Sequence, residues 1–141
     1  MHSFSLITIV AAVAGLAQPA IATYQTDKGA QINFYTDKSC TKYAGEAACW
    51  WSKSPLIGRM VNGGQEAECF QLNMPGNSLS INTANIWSKA GGQTRGNCYL
   101  FDDYNCKGNS VTSNYVPGSG TCFGSRSKDG WLWKSASCAS V

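Results

Sequence analysis

Histidine is the commonest acid–base residue in catalysis, and this chain has one, His2. It lies in an apolar leader, so the folded protein is expected to have no imidazole. Ser-His-Asp and Cys-His nucleophilic catalysis and His-ligated zinc drop out with it. No P-loop, GxGxxG or CxxC spacing occurs. A carboxylate-only mechanism survives, and a glycosidase needs two acids about 5–10 Å apart across a cleft. Glu66 and Glu68, alternate residues of one strand, and the adjacent Asp102 and Asp103 are the candidates. Asp37, however, stands where Asp103 stands in an internal repeat, without an acidic neighbour, which favours a turn-forming role. The residues therefore read as non-enzymatic, with no catalytic residue and no cofactor expected.

Aromatic and sulfur chemistry remain. Trp50 and Trp51 must face opposite sides of an extended chain. One of them is then exposed and is a candidate ligand contact, stacking on a sugar ring. Trp87 and Trp133 read as core, and Trp131 is expected to share a face with Trp133. The seven cysteines are Cys40, Cys49, Cys69, Cys98, Cys106, Cys122 and Cys138. In a small exported chain they read as disulfides, and the odd number leaves one thiol over.

The elements that must position these groups repeat. Ile32–Thr41 (INFYTDKSCT) lies over Cys98–Lys107 (CYLFDDYNCK) at one constant offset, matching Tyr35 with Phe101, Asp37 with Asp103 and Cys40 with Cys106. Each copy reads as a short strand, an acidic turn and a cysteine. Further on, Glu68-Cys69-Phe70 matches Thr121-Cys122-Phe123, and Asn85–Ala90 (NIWSKA) resembles Trp131–Ala136 (WLWKSA). A rival alignment sets Gly76 against Gly130. Short alternating runs, 15 glycines and frequent turn dipeptides, with no sustained helical period, predict an all-β sandwich or barrel. The two motifs are placed at 32–90 and 98–138.

The run LITIVAAVAGLA followed by Ala20-Ile21-Ala22 reads as a secretory signal peptide over 1–22. It is too short to span a bilayer. Residues 23–141 are then one secreted, extracellular β domain. Its net charge of +3 comes from scattered rather than clustered lysines and arginines. No nucleic-acid surface and no stable membrane insertion are expected.

FYTDKSCTKYAG and LFDDYNCKG, with IWSKA and LWKSA as later partners, resemble the Greek-key motif of the βγ-crystallins, here occurring twice. Leader, cysteines and size resemble the small secreted cysteine-rich proteins of filamentous fungi. The first resemblance implies a disulfide-stabilised pair of Greek keys. It also implies a place to look for calcium, for which Asn85 and Ser88 have suitable spacing, although Ala84 and Lys89 depart from the family pattern. Equivalence of the two motifs implies bridges Cys40–Cys69 and Cys106–Cys122. A Greek key allows Cys98–Cys138, leaving Cys49 as a free thiol open to a disulfide dimer of an otherwise monomeric protein; a local Cys40–Cys49 bridge is the rival. The second resemblance implies an effector or elicitor that meets a host cell-surface protein or cell-wall glycan and induces plant defence or cell death. The alternatives are an antimicrobial, killer-type toxin and a carbohydrate-binding (cell-wall) module.

Overall fold

The computed structural model describes residues 27–51, 60–61, 64–65 and 69–140. The leader, Glu66 and Glu68 lie outside the described residues. The strands are β1 (Lys28–Tyr35), β2 (Tyr43–Trp50), β3 (Met60–Val61), β4 (Gly64–Gln65), β5 (Phe70–Gln71), β6 (Ser80–Ile86), β7 (Gly96–Phe101), β8 (Ser110–Val116), β9 (Ser119–Gly120), β10 (Cys122–Gly124) and β11 (Ser135–Ser140). Among the described residues the only helical element is a short 3-10 turn, Tyr104–Cys106. The expected all-β, disulfide-stabilised fold with two repeated motifs is what the chain forms. No helix among the described residues is long and apolar enough to cross a membrane.

Two antiparallel sheets carry the structure, in the orders β10-β6-β1-β2 and β5-β11-β7-β8-β9; β3 and β4 pair separately. Each repeat supplies a hairpin and a last strand to its own sheet. Its third strand goes to the other sheet. Thus β5, from the first repeat, pairs with β11, and β10, from the second, pairs with β6. This exchange keeps the sheets together without a long connection.

The core follows from period-two alternation. Ala30, Ile32 and Phe34 on β1 pack with Ile81, Ile86, Leu100, Trp51 and Trp133 in a single buried cluster. The intervening residues of β1, Gln31, Asn33 and Tyr35, take the opposite face. A register shift in the β1–β6 pairing passes from Gln31↔Asn85 to Ile32↔Thr83 and leaves Ala84 without a partner on β1. Such a bulge bends its strand, and here it turns Asn85 and Asn82 towards the polar face of β1.

The exchanged strands correct the expected disulfides. The bridges are Cys40–Cys122, Cys69–Cys106 and Cys98–Cys138. The pairings Cys40–Cys69 and Cys106–Cys122 do not form, because Cys69 leads into β5 on the second sheet and Cys122 opens β10 on the first. Each hairpin cysteine therefore meets the third strand of the other repeat. Cys98 and Cys138 sit opposite each other on β7 and β11. Cys49 is the free cysteine, and its thiol is buried, which excludes the rival Cys40–Cys49 bridge.

The late alignment is also corrected. Ser80 and Ser135 occupy the same position at the start of β6 and β11, so Trp87 and Trp133 are not equivalent. The Gly76–Gly130 alternative comes within one residue of the observed equivalence. Asn85 and Ile86 end the continuous strand β6, and Trp87 follows as a single bridge to Gln93.

Candidate functional site

The acidic turns are structural. In the first hairpin the Asp37 carboxylate accepts hydrogen bonds from the Thr41 N–H (3.0 Å), the Lys42 N–H (2.9 Å) and the Thr41 hydroxyl. These donors, the Thr41 hydroxyl foremost, hold its pKa down at about 2. In the second hairpin Asp103 accepts from the Tyr104 N–H at 2.7 Å. Asp102, 5 % exposed, accepts from the backbone N–H and the side-chain amide of Asn109, both at 2.8 Å. Hydrogen bonds from Ser127 and Asn109 lower its pKa. A glycosidase acid needs a raised pKa, and Asp37 and Asp102 have moved the other way.

Both hairpins are locked by a buried serine that sequence reasoning missed. The Ser80 hydroxyl donates to the Asp37 carbonyl (2.5 Å) and accepts the Cys40 N–H (3.2 Å). The Ser135 hydroxyl donates to the Asp103 carbonyl (2.6 Å) and accepts the Cys106 N–H (2.9 Å). Cys40 (φ 55°) and Cys106 (φ 56°) both hold left-handed backbone, uncommon for a residue with a Cβ. A serine and a disulfide fix each of them. The available signal was a serine at the first position of the last strand, once in each repeat.

The two adjacent tryptophans separate as an extended chain requires. Trp50 is 47 % exposed and Trp51 is 3 % exposed. Trp51 is therefore corrected from ligand contact to core: its indole N–H donates to the Trp87 carbonyl at 3.1 Å, and Gly29 lies flat beneath its ring, where a Cβ would come within 2.8 Å. Trp131 and Trp133 do not share a face. Residues 131–134 form only a single bridge, Leu132 to Arg126. Trp133 is buried with its N–H on the Gly124 carbonyl at 2.8 Å. Trp131 is 60 % exposed, and the Lys134 ammonium lies between it and Tyr104, 5.0 and 5.2 Å from the two rings.

Asn85 and Ser88 do not make a calcium site. The Asn85 side-chain oxygen accepts from the Gln93 amide (2.5 Å) and the Tyr115 hydroxyl (3.0 Å). That leaves it little capacity for a hard cation that takes six or more oxygens. Among the described residues no group of three or more His, Cys, Asp or Glu is placed to hold a metal. Cys49 is 1 % exposed, and burial pushes its thiol up to about 12. A disulfide dimer through Cys49 would require β2 to open, because its sulfur is buried.

What the fold does assemble is a groove of about 510 Å³, within the range of small-ligand sites. It crosses the polar side of the first sheet from one hairpin to another. Thr41 and Tyr43 form one wall and Gly118–Gly120, in the β8–β9 turn, the other. Asn33 and Tyr35 of β1 and Asn82, Ala84 and Asn85 of β6 make the floor, and Gln93 and Tyr115 close it. A Cβ on Gly120 would fall 1.9 Å from the Thr83 carbonyl, so glycine there permits the close approach of that wall to β6. Hydrogen bonds orient the floor. Tyr35 donates its hydroxyl to the Asn82 oxygen (3.0 Å), and Tyr115 donates to Asn85 while accepting the Gly118 N–H (3.3 Å). Tyr43 donates to Glu46 at 3.0 Å, and burial with that carboxylate pushes its pKa up to about 12, so the phenol stays protonated. Among the described residues no Asp, Glu, Lys or Arg lines the groove. Comparison with protein-family models, with curated proteins and with solved structures finds no match.

Proposed function

We propose that this chain is an exported, non-catalytic binding protein that acts outside the producing cell as an effector or elicitor at the surface of a plant host. The uncharged, hydrogen-bonded groove carries the reading. It has the concavity and fixed polar groups of a binding site, and its lining offers donors and acceptors rather than an acid–base pair. Export is supported by the apolar leader with its Ala20-Ile21-Ala22 cleavage pattern and by three bridges suited to an oxidising compartment. A βγ-crystallin-like ancestry is supported by two hairpin-led repeats of matching strand order, each closed by a buried serine.

The test is infiltration of the purified, oxidised protein into leaves beside a microbial growth assay. Cell death or defence gene induction in the leaf, with microbial growth unaffected, is the expected result. Cleared microbial lawns with silent leaves would replace this reading with the toxin.

A further inference from the structure

We propose that the groove on the first sheet binds a neutral oligosaccharide, a short run of β-linked hexoses of the kind that make up cell-wall polymers. The inference rests on the extracellular binding reading above and names the ligand class of that site.

The ligand class follows by exclusion and then by fit. An anionic or cationic ligand would lack a countercharge, because every described lining residue is uncharged. A lipid or apolar cofactor would desolvate the Asn82 amide nitrogen, the Gln93 amide oxygen and the Ser119 hydroxyl without giving them partners. A peptide that adds a strand needs an open sheet edge. The floor here is the face of two strands, β1 and β6, that are paired on both sides, so their backbone groups are spent in the ladder, and the one edge strand in the far wall, β9, has two residues, too few to template a strand.

A polyhydroxyl ligand matches what is left. Among the described residues, the Asn82 amide nitrogen makes no hydrogen bond, while its oxygen is fixed by Tyr35. The Gln93 nitrogen is committed to Asn85, which fixes its oxygen as an acceptor without a protein donor. The Ser119 hydroxyl on the far wall is also without a protein partner. Donor, acceptor and hydroxyl are thus arranged around one cavity, with the half-exposed ring of Tyr43 at its rim as an apolar surface for a sugar face. The floor's side chains are already oriented by hydrogen bonds to one another, so little side-chain entropy is lost on binding. Trp50, the obvious sugar-stacking candidate, does not line this groove.

The experiment is titration calorimetry of the oxidised full-length protein with chitohexaose, laminarihexaose and, as a charged control, hexagalacturonate. At least one neutral hexamer is expected to bind saturably and the acidic one not. The neutral arm that binds identifies an N-acetylglucosamine or a glucan source. Asn82→Leu and Gln93→Leu are each expected to weaken binding tenfold or more, with Trp50→Ala within twofold of the parent. Should Asn82→Leu fail to fold, Ser119→Trp blocks the groove from its solvent wall and is expected to abolish binding while leaving the three bridges intact by peptide mapping. Absence of saturable binding to either neutral hexamer, equal binding of the acidic one, or full affinity in Ser119→Trp overturns the proposal. A protein that triggers leaves but binds neither neutral hexamer leaves the effector reading standing and removes only this inference.

Discussion

The two repeats share a lock and differ in the sheet face beside it. In both, a serine at the start of the last strand pins an acidic hairpin, and the hairpin cysteine is bridged to the opposite repeat. Beside the first lock, β1 presents Gln31, Asn33 and Tyr35 with Asn82 and Asn85 of β6 next to them. Beside the second, β7 presents Asn97, Tyr99 and Phe101 against Ser137 and Ala139 of β11. The first pairing carries the bulge at Ala84, while the β7–β11 register runs without a shift. Amides beside a bulged strand flank the groove; on β11 the small Ser137 and Ala139 face Tyr99 and Asn97 along a ladder without a bulge. The duplicated frame braces both halves, and one half carries the groove.

Breaking the shared frame should have the largest effect. Replacing both cysteines of Cys40–Cys122 by serine is expected to cost about 2–5 kcal/mol in denaturant melts, and replacing Cys69 and Cys106 a similar amount. A loss confined to one pair would mean that the repeats are not braced alike. Next come the locks. Ser80→Ala and Ser135→Ala each remove two part-buried hydrogen bonds, so each should lose roughly 1–3 kcal/mol.

The acidic turns sharpen the comparison through pH. Asp37 titrates near 2 when folded and near 3.9 when unfolded. Its contribution is present above about pH 4 and is lost as pH falls towards 2. Asp37→Asn should flatten that part of the acid-stability curve, and Asp102→Asn, whose carboxylate is also held down, should do so from the second hairpin. A curve unchanged by either substitution would show that the carboxylates add nothing to their turns. The smallest effect concerns Cys49. Its buried, protonated thiol should label with maleimide many times more slowly in the native protein than in denaturant, by mass spectrometry. Rapid native labelling would show that the β1–β2 ladder opens readily in the half that carries the groove.

How much of this was legible in the sequence depends on whether the signal is local. Alternation at Ile32, Asn33, Phe34 and Tyr35 reads directly as a strand, and the Asp-to-Cys turns reveal the duplication. Equivalence of the cysteines, however, has two symmetric solutions, one within repeats and one across them. Sequence similarity between the halves is satisfied by either, and only the destination of β5 and β10 chooses. The Trp50-Trp51 pair gives the alternation of faces without saying which face is buried. The groove was invisible for a different reason. Asn33, Asn82, Gln93 and Ser119 are generic residues far apart in the chain, and nothing near any of them marks it as lining a common cavity. Ser80 and Ser135 were missed because the last strands were aligned on their tryptophans.

The crossed bridges have a consequence for biosynthesis. Cys40 and its partner are 82 residues apart, and Cys69 waits across 37 residues for Cys106. If the bridges form while the chain emerges, Cys40 first meets Cys49 and then Cys69, and any bond to either must later be undone by thiol exchange. The buried fate of Cys49 gives that search its endpoint, because once β2 is seated its sulfur can no longer attack. The yield of correctly bridged protein should therefore depend on a disulfide isomerase more than on an oxidase.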